Sequence, residues 1–271
     1  TSWEDLSGNE ANVTTPASIT LTAPASNTSR MINFNPAYSF NGTTQYFSNS
    51  NYTFANAAQE HFAVTFPTSN SAYLNILGFG QTNANSPVSE FRFNTGKPEF
   101  GTPVPGSWLS VIGASDITNK PTLLNGGKST AASANAFIQF NGTQGLVTGT
   151  NANAGSTTWL NVGARRATNA NDFFFKGDIA EIVSYDQALS TTDRQKVATY
   201  LAVKYGITLN HDYLNSAGTK LWDYAANATY NNNIFGIGRE DCQGLHQRQS
   251  KSVNASGGML TIGNNSIIGT A

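Results

Sequence analysis

The sequence predicts an all-β fold: a two-sheet antiparallel β-sandwich with one short α-helix on its C-terminal side and a β-rich extension. Three observations predict it. Apolar residues recur with a period of two in short runs, and Asn, Gly, Ser and Pro separate those runs. Of the 271 residues, 11% are charged and 11% are aromatic, which supplies a large core at low charge. One clear helical pattern occurs late in the chain.

The predicted strands of the sandwich follow one another over the first two thirds of the chain. Residues that favour turns come after each alternating run. The runs span residues 32–40, 62–66, 73–79, 91–93, 108–112, 137–140 and 160–162. Asn41-Gly42 and Asn141-Gly142 predict tight hairpin turns, because Asn and Gly both tolerate a positive φ.

The longest predicted strand spans residues 172–185 and closes the sandwich. Phe173 and Ile179 belong to its apolar parity, and Glu181 has the same parity. An unpaired buried charge is costly. We therefore expect Glu181 to point inward and find a hydrogen-bond donor, unless a bulge near Gly177 shifts the register. The role predicted for this carboxylate is structural.

The predicted helix has recognisable capping residues at both ends. Ser190 is the N-cap, and Asp193 lies three residues later, as in a capping box. Gly206 ends the helix in the left-handed conformation, and Ile207 follows as the apolar residue of a Schellman motif. These signals predict that the helix closes the sandwich.

The chain therefore divides into two predicted parts. Residues 1–209 form the sandwich, and residues 210–271 form a β-rich extension or the start of a following module. Strands are predicted in the extension at residues 233–238 and 258–263. About sixty residues of this kind are marginal as an independent domain, so we expect them to pack on the sandwich or to belong to an incomplete second one.

Composition excludes several classes of partner and site. Fifteen Lys and Arg nearly balance 16 Asp and Glu, so no basic face is available for nucleic acid. No apolar run approaches the roughly 20 residues that cross a bilayer, so no membrane insertion is expected. Cys242 is the only cysteine, which excludes an intramolecular disulfide. His61, His211 and His246 lack the spacing of metal ligands.

Several motifs resemble a known family. They are W-x-D-x-S-G-N at 3–9, F-N-G-x-x-x-Y-F at 40–47, F-I-Q-F-N-G at 137–142, and F-K-G-D-I-A-E-I-V-S-Y-D-Q-A-L-S at 175–190, continued by Arg194 and Y-L-A-V-K-Y-G-I at 200–207. They are similar to concanavalin A-like, laminin-G-like jelly rolls of giant secreted surface proteins of gliding, type IX-secreting bacteria. In the tail, N-I-F-G-I-G-R-E-D at 233–241 and Q-x-Q-S-K-S at 247–252 resemble the module that follows the jelly roll in those proteins.

The resemblance implies an extracellular, cell-surface module of a large adhesin, and we expect the chain to be a segment of a longer protein. Its partner would be a glycan or a surface, bound through weak multivalent contacts. An alternative is a structural module of a surface filament, in which neighbouring modules of the same protein are the partners. The resemblance does not imply an enzyme.

Because some jelly rolls of this fold are glucanases, a hydrolase is the catalytic alternative. Retaining glucanases of this kind place two carboxylates at alternating positions of one strand, about 5 Å apart. Here Asp178 and Glu181 are three residues apart and face opposite sides of a regular strand, although a bulge would bring them to the same side. Lys176 and Ala180 occupy the positions that a second carboxylate would need. The sequence therefore predicts a protein that is not an enzyme.

Two groups of residues are candidates for ligand binding. Trp108 is either an aromatic platform for a sugar or a core residue flanked by Leu109 and Val111. Between two predicted strands lies a polar loop that is either a binding site or a solvated hairpin. Its candidate ligand-binding residues are Arg165, Arg166, Asn169 and Asn171.

Calcium is the cofactor that related jelly-roll rims use. Hard oxygen ligands from Asp, Asn and backbone carbonyls are plentiful in this chain. No Asp-rich repeat marks a calcium loop. Asp116, Asp172 and Asp178 are therefore the candidate metal ligands, each on its own segment.

Overall fold

Alternation of apolar and polar residues gives each strand one side to bury, so two sheets pack face to face. The computed structural model describes residues 2–15, 31–53, 58–80, 89–104, 107–129, 136–145, 159–167, 170–251 and 260–264. The strands in chain order are β1 (Ser2–Trp3), β2 (Val13–Thr14), β3 (Tyr38–Asn41), β4 (Phe47–Asn49), β5 (Gln59–Pro67), β6 (Leu74–Gly80), β7 (Ser89–Asn94), β8 (Lys97–Val104), β9 (Ser107–Ile112), β10 (Thr122–Lys128), β11 (Ala136–Phe140), β12 (Thr143–Gly145), β13 (Trp159–Val162), β14 (Arg165–Ala167), β15 (Ala170–Asp172), β16 (Lys176–Tyr185), β17 (Tyr213–Leu214), β18 (Lys220–Trp222), β19 (Gly238–Glu240), β20 (Leu245–Gln247), β21 (Gln249–Lys251) and β22 (Thr261–Gly263). Helix α1 spans Thr191–Tyr205, and a 3-10 helix spans Asp241–Gln243. Among the residues in these ranges, no helix has the length and apolarity to cross a membrane.

Two sheets enclose the main core. The larger has eight strands in the order β1-β2-β4-β13-β6-β7-β8-β9, and the smaller has six in the order β12-β11-β10-β5-β16-β3. The core between them is strongly aromatic, and its fully buried members include Phe47, Phe91, Phe93, Phe100 and Ile138. Each such side chain contributes roughly 1.5–3 kcal/mol by leaving water. The predicted two-sheet sandwich is confirmed.

Helix α1 covers the side of the six-stranded sheet that points away from the core. The Ser190 hydroxyl accepts a hydrogen bond from the Asp193 N–H at 3.1 Å. At the other end Gly206 has φ 67°, and the Ile207 N–H donates to the Ala202 carbonyl at 3.0 Å. Both predicted caps are therefore confirmed. A second apolar cluster joins the helix to the sheet and includes Phe62, Val64, Leu123, Leu201 and Tyr205.

The described part of the extension docks on the C-terminal end of helix α1. The Asn33 amide donates to the Lys204 carbonyl at 3.0 Å and accepts the Lys251 N–H at 2.7 Å. Asn35 donates to the same Lys204 carbonyl at 2.6 Å. These bonds satisfy a helix-terminal carbonyl and tie the tail to an early segment of the chain. The division at residues 209 and 210 stays a prediction.

The two Asn-Gly pairs behave differently. Asn141 and Gly142 have φ 49° and 80° between the paired strands β11 and β12, which confirms the predicted hairpin. Asn41-Gly42 instead connects β3 to β4, which belong to different sheets, so the second hairpin prediction is wrong. The Asn41 side chain caps this crossing by accepting the N–H of Thr43 at 2.9 Å.

Positive backbone φ angles shorten two predicted strands. The run at 32–40 becomes a strand only from Tyr38, because Asn33 and Phe34 have φ 50° and 66°. The predicted strand at 172–185 is divided into β15 and β16, because Phe173 has φ 50°. An extended strand cannot continue through a left-handed residue.

The strands predicted in the extension are shorter than expected. The segment at 233–238 contains strand only at Gly238, where β19 begins, and Asn233 has φ 58°. From 258–263, residues 258 and 259 lie outside the described residues, and Thr261–Gly263 forms β22.

Candidate functional site

The eight-stranded sheet has a polar outer face, meaning the face that points away from the six-stranded sheet. Along β7, Phe91 and Phe93 enter the core, so Glu90 and Arg92 point outward. Arg92 pairs across the strands with Glu99 of β8. The same alternation that builds the core therefore sets a row of charged side chains on the opposite side of the sheet.

These charges form an Arg92 cluster, defined as Tyr73, Glu90, Arg92, Glu99 and Phe173. The Arg92 guanidinium donates to a Glu90 oxygen and to Glu99 Oε1, the latter at 2.6 Å. The carboxylates are fully buried and Arg92 is 5% exposed. Burial raises the pKa of Glu90, although the positive charges of Arg92 and Arg165 oppose that change. The ion pairs offset part of the free energy that is needed to remove these charged groups from water.

Two aromatic rings pack against the guanidinium groups of the cluster. Tyr73 and Phe173 lie 4.8 Å apart, with Arg92 4.4 Å from the Tyr73 ring and Arg165 3.8 Å from the Phe173 ring. Tyr73 and Phe173 have φ 61° and 50°. Such angles cost about 1–3 kcal/mol for a bulky residue and are concentrated at functional sites. The backbone is therefore held in an unfavourable conformation that brings two rings and two guanidiniums into one stack.

Trp108 borders the same cluster. Leu109 and Val111 pack on the core, so Trp108 of β9 points to the outer face, and the core alternative for this residue is wrong. Its indole lies over Gly101 of β8, where an added Cβ would be 2.5 Å from Cζ2. The ring is half-buried and 5.5 Å from the Arg92 guanidinium. This is the placement that the aromatic-platform alternative requires.

The polar loop predicted around residues 165–172 is a hairpin, β14–β15, that lies on β6. A Cβ added at Gly78 would meet the Ala164 carbonyl at 2.9 Å, so glycine permits the close approach. Arg165 donates to both oxygens of Asp172, at 2.7 and 2.5 Å. Its third guanidinium nitrogen is 3.6 Å from Glu90 Oε1, too long for a hydrogen bond. Burial lowers the pKa of Arg165, but the Asp172 and Glu90 carboxylates outweigh it and raise the pKa.

A second group on the outer face is the Arg166 platform, defined as Tyr46, Trp159, Asn161, Arg166 and Asn171. The Arg166 guanidinium lies 4.5 Å from the Trp159 ring. The indole N–H donates to Asn161 Oδ1, and the Asn161 amide donates to Asn171 Oδ1, both at 2.9 Å. The structure thus places Trp108, Arg165, Arg166 and Asn171 on one face. Asn169 lies outside the described residues.

The outer face also concentrates polar atoms that lack partners. In the described part of the chain, nine buried side-chain atoms have no hydrogen-bond partner. Seven of them are on this face: Ser48 Oγ, both amide atoms of Asn75, Glu90 Oε1, Arg92 Nε, Glu99 Oε2 and Trp108 Nε1. Because buried polar groups normally find partners, this concentration requires an explanation.

The predicted calcium ligands are not brought together. Asp116 is exposed and accepts the Thr118 N–H and hydroxyl, which also lowers its pKa. Asp172 is bound by Arg165, and Asp178 accepts a hydrogen bond from Ser39. Within the described ranges, no group of three or more His, Cys, Asp or Glu has the geometry of a metal site. These three carboxylates do not fit a shared calcium ion.

The hydrolase alternative has a different geometry from the one expected. The register of β16 shifts between Ile179 and Glu181, so a bulge at Ala180 turns Asp178 and Glu181 to the same face. Helix α1 covers that face, and Glu181 accepts hydrogen bonds from Lys204 at 2.8 Å and from two tyrosines of the helix. The opposite-face expectation is wrong, and the predicted structural role of Glu181 is confirmed.

Sequence reasoning missed Glu90, Arg92 and Glu99. The available signal was S-E-F-R-F at 89–93, in which two charged residues alternate with two phenylalanines. Charges at regular spacing inside a core strand indicate an organised polar face rather than solvent exposure.

Comparison with known proteins adds information on the tail and on the fold. A family model described as a domain of unknown function, DUF8202, matches residues 193–271. The match therefore begins within helix α1 and includes the extension. No curated protein matches the chain.

Three solved structures illustrate the likeness of fold. A botulinum neurotoxin type C structure is 14% identical with TM-score 0.50, covering 78% of this chain and 51% of its own, so this chain spans about half its length. A pentraxin from Limulus polyphemus is 15% identical with TM-score 0.46, covering 60% and 81%. Mouse laminin α1 domains LG4-5 are 12% identical with TM-score 0.44, covering 58% and 44%. The two-sheet topology and the likeness to the botulinum neurotoxin type C structure confirm the predicted jelly-roll fold.

Proposed function

We propose that the chain is a glycan-binding module that presents the outer face of its eight-stranded sheet to saccharides. The observation that carries the proposal is the set of seven unpartnered polar atoms on this face beside the half-buried rings of Tyr73, Trp108 and Phe173. An unsatisfied buried group costs about 1–3 kcal/mol. Each of these atoms has less than 1 Å² of accessible surface, so a ligand would supply partners through ordered water or after a side-chain shift, and would recover that cost on binding.

Saccharides match the chemistry of this face. A sugar has an apolar ring face that packs on an aromatic side chain and a rim of hydroxyls that both donate and accept hydrogen bonds. Glu99 Oε2 is an acceptor, and Arg92 Nε and Trp108 Nε1 are donors. The botulinum neurotoxin type C structure of similar fold is described as interacting with two ganglioside molecules in cell entry, which supports glycan recognition by this architecture.

We also propose that the module acts outside the cell in a large surface adhesin. The jelly-roll motifs and the low charge of the chain support this context. Linked copies would raise the effective concentration of weak sites, so no single site needs high affinity. Antibody labelling of intact cells that produce the full-length protein tests this location, and labelling only after lysis would contradict it.

A glycan array followed by titration calorimetry tests the binding function. We expect the unmodified protein to bind a subset of glycans and Trp108→Ala to bind them at least about tenfold more weakly, because the stacking ring is lost. Tyr230→Ala is the matched control, since Tyr230 is an aromatic residue of the extension that is 72% exposed. We expect it to bind normally.

Two outcomes would contradict the proposal: no glycan binds, or Trp108→Ala binds as tightly as the unmodified protein. The same incubations address catalysis. Release of reducing sugar from the bound glycans would contradict the prediction that the chain is not an enzyme.

A further inference from the structure

Arg166 differs from the other two arginines of the outer face. The Arg92 guanidinium is held by Glu90 and Glu99, and Arg165 is held by Asp172. Arg166 takes part in no salt bridge with any residue that the structure describes, and its contact is the Trp159 ring at 4.5 Å. It therefore offers a guanidinium whose charge is not already neutralised by a neighbour.

The side chains around Arg166 are fixed before any ligand arrives. Trp159 is anchored through its N–H to Asn161, which is fully buried. Asn161 in turn donates to Asn171 on the second strand of the hairpin, directly across from Arg166. A guanidinium stacked on an indole has lost part of its freedom and its hydration, so less is lost when an anion binds.

A further hydrogen-bonding group lies on the strand next to Asn161. Ser48 is directly across from Asn161 on the neighbouring strand, and its hydroxyl has no hydrogen-bond partner in the described chain. Burial raises the pKa of Tyr46, and the positive charge of Arg166 opposes that change. The Arg166 platform therefore combines a guanidinium that is unpaired among the described residues with neutral hydrogen-bonding side chains.

The other half of the face has the opposite character. Arg92 is already paired with Glu90 and Glu99, and Arg165 with Asp172, so neither guanidinium is available to an incoming anion. Charge thus divides the outer face into two halves. The half around Arg92 and Trp108 suits the hydroxyls of a sugar, and the half around the Arg166 platform suits an anion.

We propose that the Arg166 platform is an anion subsite that binds the carboxylate or sulfate of an acidic glycan. This inference rests on the proposed glycan-binding function and specifies its ligand class. Arg166 would form paired N–H···O bonds with the anion, in the geometry that a guanidinium fork favours. The neutral part of the saccharide would extend toward the half that contains Trp108.

The test compares three probes by titration calorimetry: lactose, 3′-sialyllactose and 3′-sulfolactose. We expect the unmodified protein to bind one or both acidic probes about tenfold or more tightly than lactose, and this preference to shrink as salt is raised. The carboxylate and sulfate arms identify which anion is accepted. Arg166→Gln should bind all three with the affinity of lactose.

Arg248→Gln is the matched control, because Arg248 is an exposed arginine of the extension and its loss changes the net charge equally. It should keep the preference. Arg166→Lys retains a charge without the fork and should retain part of the preference. Circular dichroism and thermal melting establish that each variant is folded before its affinity is compared.

Equal affinity for the three probes in the unmodified protein would overturn the anion subsite and leave the glycan-binding function standing. An unchanged preference in folded Arg166→Gln would also overturn it. Binding of no glycan on the array would contradict the proposed function and this inference together.

Discussion

The outer faces of the two sheets differ in how their buried charges are satisfied. On the six-stranded sheet, Glu60 accepts two hydrogen bonds from Arg194, at 2.6 and 2.8 Å, one from the Leu189 N–H and one from Asn125. On the eight-stranded sheet, Glu99 Oε2 and Arg92 Nε have no partner in the described chain. Strand alternation places charged residues on both faces, but only one face has a helix that completes their bonds.

The packing of helix α1 therefore distinguishes the two outer faces of this sandwich. Helix α1 supplies donors to the carboxylates beneath it, and among the described residues Asn125 Oδ1 is the one buried atom of that face without a partner. The outer face of the eight-stranded sheet keeps ion pairs among its own residues, and seven of its buried polar atoms have no partner in the described part of the chain. A face that folding has not saturated is the one with capacity for a ligand.

The largest loss of stability is expected on the covered face, meaning the side of the six-stranded sheet beneath helix α1. Arg194→Ala leaves the fully buried Glu60 without its cation, which should lower the free energy of unfolding by about 3–5 kcal/mol. Denaturant unfolding at neutral pH measures it. Lys196→Ala breaks an exposed pair with Asp193 on the same helix and should cost less than about 1 kcal/mol. Similar losses in the two variants would show that Glu60 is not held as the structure indicates.

A smaller loss of stability, together with a loss of glycan binding, is expected on the open face, meaning the outer face of the eight-stranded sheet. Gly101→Ala places a Cβ 2.5 Å from the Trp108 indole, which must move. We expect about 1–3 kcal/mol of destabilisation and weaker glycan binding. Gly236→Ala is the matched control, because no atom lies within 4 Å of an added Cβ there. Unchanged glycan affinity in folded Gly101→Ala would remove Trp108 from the site.

The sequence was sufficient for the features that depend on local chemistry. Ser190 and Gly206 predicted both ends of the helix, because caps are set by the residues themselves. The bulge at Ala180 and the left-handed φ of Phe173 were not predicted, since they are imposed by neighbouring strands and by packing on Tyr73. Local patterns contain no information about such long-range constraints.

The site was only partly predictable for a related reason. Trp108, Arg165 and Arg166 were recognisable as candidates by residue type. That they share a face depends on the order β13-β6-β7-β8-β9 and on the hairpin that lies on β6, which no single segment specifies. The charged residues of β7 were missed because its phenylalanines identify it as a core strand. The charged residues occupy the alternate positions, which point away from that core.

The smallest expected change in stability distinguishes an indole N–H that has a hydrogen-bond partner from one that has none among the described residues. Trp222 of the second apolar cluster donates its N–H to Asn231 at 2.7 Å, whereas the Trp108 N–H has no partner among the described residues. The change to Phe removes the same volume at both positions but breaks a hydrogen bond at Trp222 alone. Trp222→Phe should therefore lower the free energy of unfolding by about 1 kcal/mol more than Trp108→Phe.

Glycan affinity should respond in the opposite order in these two variants. Trp108→Phe keeps a ring for stacking but loses the free donor, so its affinity should fall, while Trp222→Phe should bind normally. Thermal unfolding and titration calorimetry on both variants give the two readouts. If Trp108→Phe is the less stable variant and binds glycans normally, the Trp108 N–H stabilises the fold and does not bind the ligand.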